Sequence, residues 1–334
     1  MHVSRDIRIA SLFFGLSILI FFFALISVPS SLNEDDKVTV VLRMGLGVYD
    51  IAKLLEEKEL INSKYLFFFA SFLFGKRLFA GEYEFSKDMS ILKIIDMMRK
   101  GKRKIYVVKI IEGSDIFQCA RMLEENLNIK KEDFLKLAKD KNFLKELNIQ
   151  SPSLEGYLFP DTYYYSKEIA FEDLIRRIVQ RRLRYFQDER IKKRMQDLGL
   201  GIHEILTLAS LIEKEAKIEK EKPLISAVFH NRLRLNMPLE CDPTVLYGIE
   251  KKGPITKTDL KRKTEYNTYT FRGLPPGPIC NPSTSSIDAA IFPADVDYLY
   301  FVAKNDGTHV FSKDLKEHER YVSIYQGKGY KNLN

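Results

Sequence analysis

The sequence predicts an α+β protein that begins with a single transmembrane helix and continues into a small α/β module and a larger mixed domain. Three observations lead to this prediction: a long uncharged N-terminal run, a strand and helix pattern that occurs twice, and a C-terminal half in which helical patterns alternate with loops rich in Tyr, Pro and Gly. Over 334 residues, 45% are hydrophobic and 29% are charged, which is typical of a globular chain and argues against dominant disorder or coiled coil.

The first element is the uncharged run Ile9–Val28, which has 20 residues. At about 1.5 Å per residue, a helix of this length crosses a hydrocarbon core of about 30 Å. A cleaved signal peptide is the alternative, but its apolar region is normally shorter, and no clean A-x-A site precedes Pro29. The sequence therefore favours an uncleaved anchor.

The charges around this run predict its orientation. Basic residues precede it and acidic residues follow it, namely Arg5 and Arg8, and Glu34, Asp35 and Asp36. Because Lys and Arg stay on the cytoplasmic side, residues 1–8 are expected to form a cytoplasmic tail in a single-pass inner-membrane protein. The rest of the chain then lies outside the cytoplasm.

Charge and cysteine content set further limits. The net charge of +8, from 53 Lys and Arg against 45 Asp and Glu, suits an anionic envelope polymer or a membrane surface as well as nucleic acid. The three cysteines, Cys119, Cys241 and Cys280, share no C-x-x-C spacing and are odd in number. They indicate neither a disulfide framework nor a Cys-rich zinc site, although Cys241 and Cys280 could pair if they met in space.

A repeat follows the anchor. Shifting the chain by 68 residues lays Val40–Ile61 on Val108–Ile129 without a gap, and seven of the 22 pairs are identical, among them Gly45 with Gly113. Each copy predicts a short strand, a glycine turn and an amphipathic helix. Two copies indicate a pair of small modules and are too few for a solenoid.

The composition changes at about Ser151, where aromatic residues, prolines and glycines gather in loops. Between the loops, helices are predicted over Phe171–Gln187 and Ile202–Lys222. Near the C-terminus, a hairpin is predicted with its turn around Asn305–Gly307. This part of the chain is therefore expected to be a mixed α and β domain.

The helix predicted over Ile202–Lys222 contains several carboxylates, and only Glu213 lies inside its apolar stripe. At about 100° per residue, Ile202 and Leu206 lie about 20° from Glu213 around the axis, whereas Glu215 lies about 160° away and is expected in solvent. A carboxyl pressed into an apolar face is desolvated, and desolvation favours the protonated form that a general acid needs. Glu213 is thus the candidate acid, unless it is a structural glutamate paired with an Arg or bound by backbone amides.

Other familiar chemistries have no motif in the sequence. It contains no H-E-x-x-H, G-x-x-x-x-G-K-[ST] or G-x-S-x-G, and no G-x-G-x-x-G after a strand. Of five scattered histidines, only His309, on the predicted hairpin, has an obvious chance of facing a cleft, and a structural role for it stays open. We expect no metal and no organic cofactor.

Several motifs then occur in order and together resemble the YceG-like family of endolytic murein transglycosylases. They are LEGYLFPDTY (Leu154–Tyr163), ASLIEKEA (Ala209–Ala216), FHNRL (Phe229–Leu233), DPTVLYG (Asp242–Gly248), YNTY (Tyr266–Tyr269) and GLPPGPICNP (Gly273–Pro282). The first repeat copy, with Thr39–Ile61 and Ala80–Phe85, resembles a LysM-like module, and a generic spacer is its alternative. The resemblance implies a transmembrane helix over 9–28, a LysM-like module over 37–104, a second repeat and connector over 105–150, and a catalytic domain over 151–334.

The resemblance also implies an activity, which is cleavage of the MurNAc–GlcNAc β-1,4 bond of nascent glycan strands with formation of 1,6-anhydro-MurNAc ends. The family's catalytic Glu is placed on Glu213, which would act first as acid and then as base on the sugar's own C6 hydroxyl. The polar and aromatic motif positions, joined by the hairpin histidine, are the expected substrate-binding residues: Glu155, Tyr157, Asp242, Thr244, Asn267, Tyr269, Asn281 and His309.

Two other classes of function stay open. A muramidase that uses water would need a second carboxylate, for which Asp242 is the best candidate, although an Asp before Pro243 also commonly starts a turn. A wall-binding or divisome scaffold would cleave nothing. The expected partners are glycan strands, the membrane and, through the resemblance, peptidoglycan synthases; no nucleic acid is expected.

Overall fold

The computed structural model describes residues 2–31, 36–75, 77–249 and 253–330. The chain forms two compact units, Met1–Val107 with Tyr164–Asp173, and Val108–Tyr163 with Leu174–Asn334. Glu34 and Asp35, which entered the orientation argument, lie outside the described residues.

The first unit begins with helix α1 (His2–Ser27). Its stretch Ile9–Ser27 has a mean hydropathy of 2.7 and is only 6% buried. A helix of this length and composition is compatible with a single-pass membrane anchor.

A two-stranded sheet and three helices form the body of the first unit. Strand β1 (Lys37–Leu42) pairs antiparallel with β2 (Gly81–Ser86), from Lys37 opposite Ser86 to Leu42 opposite Gly81. Helices α2 (Val48–Glu57), α3 (Lys64–Phe74) and α4 (Ile91–Arg99) accompany it, and their apolar side chains join those of the sheet in one buried core. Ser63 and Ser90 cap α3 and α4 with their hydroxyl oxygens, which accept backbone N–H groups left free at a helix start.

Residues 164–173 complete this unit through two buried carboxylates. The Glu82 carboxylate, 3% exposed, accepts from the Tyr106 hydroxyl at 2.9 Å and lies 3.4 Å from Lys167 Nζ. The Glu168 carboxylate, 1% exposed, accepts from Arg103 at 2.7 Å. A buried charge is costly unless it is paired. Residues 164–173 are therefore needed to pair the charges of Glu82 and Arg103 in the first segment of this unit.

Both copies of the repeat have the predicted strand, glycine turn and helix. In the second copy, β3 (Tyr106–Ile110) leads through a turn to α5 (Ile116–Leu127), which starts with a capping box of Asp115 and Gln118. The paired glycines, Gly45 and Gly113, have φ of +87° and +72°, in the left-handed region that favours glycine.

The two copies do not form one paired module, because the second belongs to the larger unit. Gly113 N–H donates to the Asn281 carbonyl at 2.9 Å, and Ile116 N–H donates to Glu155 Oε2 at 2.9 Å. The structure therefore joins residues 108–150 to the part expected to start at 151, and the predicted boundary there is not a boundary between compact units.

The rest of the chain is mostly helical around a buried central helix. Its elements are α6 (Lys131–Leu137), α7 (Lys141–Glu146), β4 (Asp161–Tyr165), which pairs with β3, α8 (Phe171–Tyr185), α9 (Glu189–Leu198), α10 (Ile202–Glu215), a 3-10 turn (Glu219–Glu221), α11 (Lys222–Arg234), α12 (Asp242–Leu246), α13 (Lys257–Leu260), α14 (Thr284–Ile291), β5 (Tyr300–Ala303), β6 (His309–Ser312) and α15 (Leu315–Tyr330). Helix α10 packs against α11, α12 and α14.

The predicted hairpin is confirmed, with Tyr300 opposite Ser312 and Ala303 opposite His309. The helix predicted over Ile202–Lys222 is wrong in its last third, because α10 ends at Glu215 and Ala216 is extended. Eight consecutive residues of α10, 205–212, are buried. Such a helix has no solvent face from which the direction of a side chain could be read.

Candidate active site

The second unit contains a cavity of about 610 Å³ on one side of the end of α10. Its walls combine carboxylates, cationic groups and aromatic rings, as a site for a polar, ring-shaped ligand requires. The residues that line it include Glu215, Arg232, Glu240, Asp242, Lys257, Tyr269, Phe301, His309 and His318. Of the residues predicted from the sequence, the structure brings Asp242, Tyr269 and His309 together here.

Glu215 is the last residue of α10 and lines the cavity, partly buried. The pKa of its carboxyl is raised to about 7, chiefly by burial and also by the charge of the neighbouring Asp242. Hydrogen bonds from the Cys241 thiol and the Asp242 backbone N–H offset part of this rise. The prediction that Glu215 lies in solvent is wrong. Residues 205–212 of its helix are buried, and Glu215, just beyond them, faces the cavity wall rather than open solvent.

Asp242 and Tyr269 line the cavity beside Glu215. Asp242 is the first residue of α12, and its Oδ1 accepts a hydrogen bond of 2.5 Å from the Tyr269 hydroxyl. Burial, followed by the Asp242 charge, raises the pKa of Tyr269 well above its ordinary value, so the phenol remains a donor. A carboxyl that titrates near neutrality and a fixed carboxylate–phenol pair therefore line the same cavity.

The loop before Asp242 is braced by a buried arginine. Arg232 of α11, 6% exposed, donates to the Pro238 and Leu239 carbonyls at 3.1 and 3.2 Å and to Glu240 Oε2 at 2.8 Å. Glu240 has a φ of +53°, which is unusual for a side chain without local support. The arginine thus fixes the backbone that leads to Cys241 and Asp242.

Thr244 and Asn267 are fully buried and brace the same loops from behind. The Thr244 hydroxyl donates to the Cys241 carbonyl at 2.6 Å and shares a hydrogen bond of 3.0 Å with Thr268. Asn267 Nδ2 donates to the Arg262 carbonyl at 2.7 Å, and its Oδ1 accepts from the Tyr269 N–H at 3.1 Å. Neither Thr244 nor Asn267 lines the cavity. Both instead hold in place the loops that carry the cavity residues Asp242 and Tyr269.

His309 reaches the cavity but is held by a carboxylate. The ring Nδ1 of His309 lies 2.7 Å from Glu221 Oε2, and the backbone N–H of His309 donates to Glu221 Oε1 at 3.0 Å. The ring meets Phe301 edge to face at 5.4 Å, and the side chain is only 8% exposed. These contacts fix the ring in the wall.

Glu213 points away from the cavity, towards the start of α14. Its Oε2 accepts from the Ser283 N–H at 3.0 Å and from the Ser286 hydroxyl at 2.6 Å, and Lys222 Nζ lies 3.6 Å away. Ser283 also donates through its hydroxyl. With 12% exposure and these donors, Glu213 has the contacts of a carboxylate that joins α10 to α14.

The remaining predicted binding residues lie in the interior of the second unit. Glu155 is 2% exposed, accepts from Ile116 N–H and from the Tyr247 hydroxyl at 2.8 Å, and has its pKa raised to about 8 by burial. Tyr157 is 2% exposed and contacts His203 Nδ1 at 3.3 Å. Asn281 is fully buried and accepts from Leu158 N–H at 3.0 Å while donating to the Ser114 carbonyl at 3.0 Å.

Sequence reasoning missed Glu215, Arg232 and Cys241 as parts of the site. The sequence does place Glu215 three residues after the stretch Ile205–Ile212, in which six of eight residues are apolar, and such a stretch indicates a helix buried on most sides. The three cysteines are buried and free, so Cys241 and Cys280 do not pair. Cys241 instead contacts Glu215.

Comparison with known proteins agrees with the motifs. The model of the YceG-like family matches residues 40–324. The endolytic murein transglycosylase of Bacillus subtilis is 34% identical over 322 residues, covering 89% of each chain. The protein of the same name from Streptococcus pneumoniae is 28% identical over 332 residues, which is 88% of this chain and 59% of that one.

A solved structure is similar as well. The crystal structure of a YceG-like protein from Listeria monocytogenes is 35% identical, with a TM-score of 0.59, and the match covers 85% of this chain and 98% of that one. Sequence motifs, a family match over most of the chain and this structural similarity agree, so the chain belongs to the YceG-like family.

Proposed function

We propose that the chain is a lytic transglycosylase that cuts peptidoglycan glycan strands, with Glu215 as its general acid. The murein transglycosylases named above support the reaction class and the substrate. The observation that carries the assignment of the acid is the position of Glu215, which lines the cavity at the end of α10 together with Asp242 and Tyr269. Burial there raises the pKa of Glu215 to about 7. A carboxyl with this pKa is protonated often enough near neutral pH to donate, and its ionised form is basic enough to accept.

The reaction proceeds in two proton transfers. Glu215 donates its proton to the oxygen of the MurNAc–GlcNAc bond as that bond breaks and positive charge develops at C1 of MurNAc. The resulting carboxylate then takes the proton of the C6 hydroxyl of the same MurNAc, whose oxygen bonds to C1. The products are a 1,6-anhydro-MurNAc end and a free GlcNAc hydroxyl, and Glu215 has regained its proton.

The other residues of the cavity orient the sugar. The Asp242 carboxylate, whose Oδ1 is held by Tyr269, can accept from a sugar hydroxyl through its other oxygen, and the rings of Tyr269, Phe301 and His309 offer planar surfaces. The sequence had favoured Glu213 as the acid. Its Oε2 already accepts from Ser283 and Ser286, so we assign it a structural role.

A matched pair of variants tests this assignment. Glu215→Gln retains the shape of the side chain but cannot donate a proton, so it should abolish release of anhydro-muropeptides from purified murein, measured by mass spectrometry. Glu213→Gln keeps an oxygen acceptor for the serines and should retain most of the activity. The reverse result, with Glu213→Gln inactive and Glu215→Gln active, would return the acid to Glu213.

A muramidase that uses water is the second candidate, because Asp242 and Glu215 face the same cavity and a hydrolase needs two carboxylates. Digestion in ¹⁸O-labelled water separates the reactions. Incorporation of label at the new C1 end of the primary product supports hydrolysis, whereas unlabelled anhydro ends support the transglycosylase. A protein that leaves murein uncut under all conditions would be a wall-binding or divisome scaffold.

We also propose that the chain is a single-pass inner-membrane protein with residues 1–8 in the cytoplasm, which the apolar helix α1 supports.

The LysM-like pattern of the first unit leads us to propose that residues 37–104 bind glycan, and the family resemblance suggests peptidoglycan synthases as partners. Photo-crosslinking with a glycan fragment tests the binding role: labelled peptides should include residues 37–104, and labelling confined to residues 108–330 would contradict it.

A further inference from the structure

Helix α3 of the first unit has an exposed apolar face that its own unit does not cover. Phe67, Ala70 and Ser71 are buried on its inner side. The outer side carries large apolar or aromatic side chains with exposed fractions between 39% and 83%: Tyr65, Phe68, Phe69, Phe72 and Leu73. Phe74, at the end of the inner side, is 38% exposed. A contiguous patch of this kind on a monomer indicates an interaction surface.

The same helix contacts the end of α1. The Phe23 and Phe74 rings meet edge to face with centroids 5.8 Å apart. Ile26 is fully buried in the core of the first unit, and Phe22 packs against that core. The last turns of α1 are therefore built into the core of the unit that follows, and they contact α3 there.

These contacts set the depth of α3 if α1 crosses a membrane. Phe23 lies five residues before Val28, the end of the apolar run, and at 1.5 Å per residue this is about 7 Å along the helix axis. Phe74, in contact with Phe23, then lies at a similar depth within the hydrocarbon. Helices that lie in a membrane interface bury their apolar faces by about 5–10 Å, which agrees with this depth.

We infer that α3 lies in the interface of the leaflet from which the chain emerges, with its aromatic face in the lipid and its inner face on the first unit. This inference rests on the membrane anchoring proposed for α1. Helix α3 contains no acidic residue. It begins at Lys64, whose Nζ lies 3.4 Å from Glu56 Oε2, and the basic Arg77 follows its end, where a lipid headgroup layer would lie. Lipid is the occupant we favour over a second copy of the chain, because the exposed face of α3 is continuous with the apolar surface of α1.

The chain contains no Trp, so single Trp substitutions report on individual positions in the full-length protein. Phe72→Trp replaces the most exposed residue of α3, at 83%, and should not disturb the core. Phe14→Trp in the middle of α1 tests the anchor, and Tyr164→Trp, 70% exposed in the first unit, is the control for water. Each variant is reconstituted in vesicles of phosphatidylcholine brominated on the acyl chains, and folding is checked by circular dichroism.

We expect Trp at position 72 to lose about half of its emission or more in brominated vesicles, as position 14 does, while position 164 loses little. Quenching at position 14 without quenching at position 72 would overturn the inference and leave the anchor intact. A blue-shifted but unquenched Trp at position 72 would overturn it in favour of a protein partner such as a second copy. If Trp at position 14 is not quenched, α1 does not enter the membrane, and the depth derived for α3 is refuted as well. The proposed cleavage of murein is tested separately by the Glu215 variants.

Discussion

The charge of Glu215 should make the folded protein less stable as the pH rises. Its pKa is raised from 4.5 to about 7 by burial, so between these values the folded chain holds a proton that the unfolded chain has released. Below about pH 4.5 the carboxyl is protonated in both states, and above about pH 7 it is ionised in both. At about 1.4 kcal/mol for each pH unit, its ionisation lowers the free energy of unfolding by about 3 kcal/mol across this window.

Glu215→Gln removes this dependence because the amide is neutral throughout. The variant's free energy of unfolding, relative to that of the parent, should therefore grow by about 3 kcal/mol between about pH 4.5 and pH 8. Denaturant unfolding of both proteins in the same detergent, followed by circular dichroism at several pH values, measures the difference. Subtracting the two curves removes the contributions of the other titrating groups. A difference that stays constant over this range would refute the reasoning that burial at this wall of the cavity raises the pKa of Glu215.

The site leads to further expectations. Cleavage should slow as the pH rises above about 7, because the acid is lost when Glu215 ionises; anhydro-muropeptide release that does not change between about pH 6 and pH 9 would contradict this. Cys241→Ala removes a donor to the Glu215 carboxylate and should move that loss of activity to higher pH, whereas Cys241→Ser should keep it near the parent's position. Asp242→Asn should slow cleavage about 5- to 150-fold while the products keep anhydro ends, and a change to reducing ends would point to hydrolysis. Glu213→Ala removes the acceptor of the Ser283 N–H and of the Ser286 hydroxyl at the start of α14 and should lower the free energy of unfolding by about 1–3 kcal/mol, measured with denaturant; an unchanged midpoint would argue against a structural role.

Local patterns predicted the local structure well. The strand, glycine turn and helix of each repeat copy and the hairpin around Asn305–Gly307 depend on spacing over a few residues, and the structure contains all of them. The grouping of the second copy with the larger unit depends instead on contacts such as that of Gly113 with Asn281, which lie far apart in the sequence. Sequence spacing carries no information about such contacts.

The candidate site was predicted only in part, for two physical reasons. The direction of Glu215 was read from a helical wheel that assumes a solvent side, and α10 has none along residues 205–212. Thr244, Asn267 and Asn281 are polar residues in motif loops, and a side chain that binds a sugar has the same chemistry as one that binds a backbone carbonyl. Only the packed structure distinguishes the two uses.

The first unit's dependence on residues 164–173 has a consequence for biogenesis. Lys167 and Glu168 supply the partners of Glu82 and Arg103, so the unit cannot satisfy its buried charges until the chain has been made as far as these residues. If α1 anchors the chain during export, all of residues 108–163, the N-terminal segment of the second unit, emerge before the first unit can close. Proteolysis of nascent chains of increasing length should therefore show protection of residues 37–107 appearing only once residue 173 has emerged.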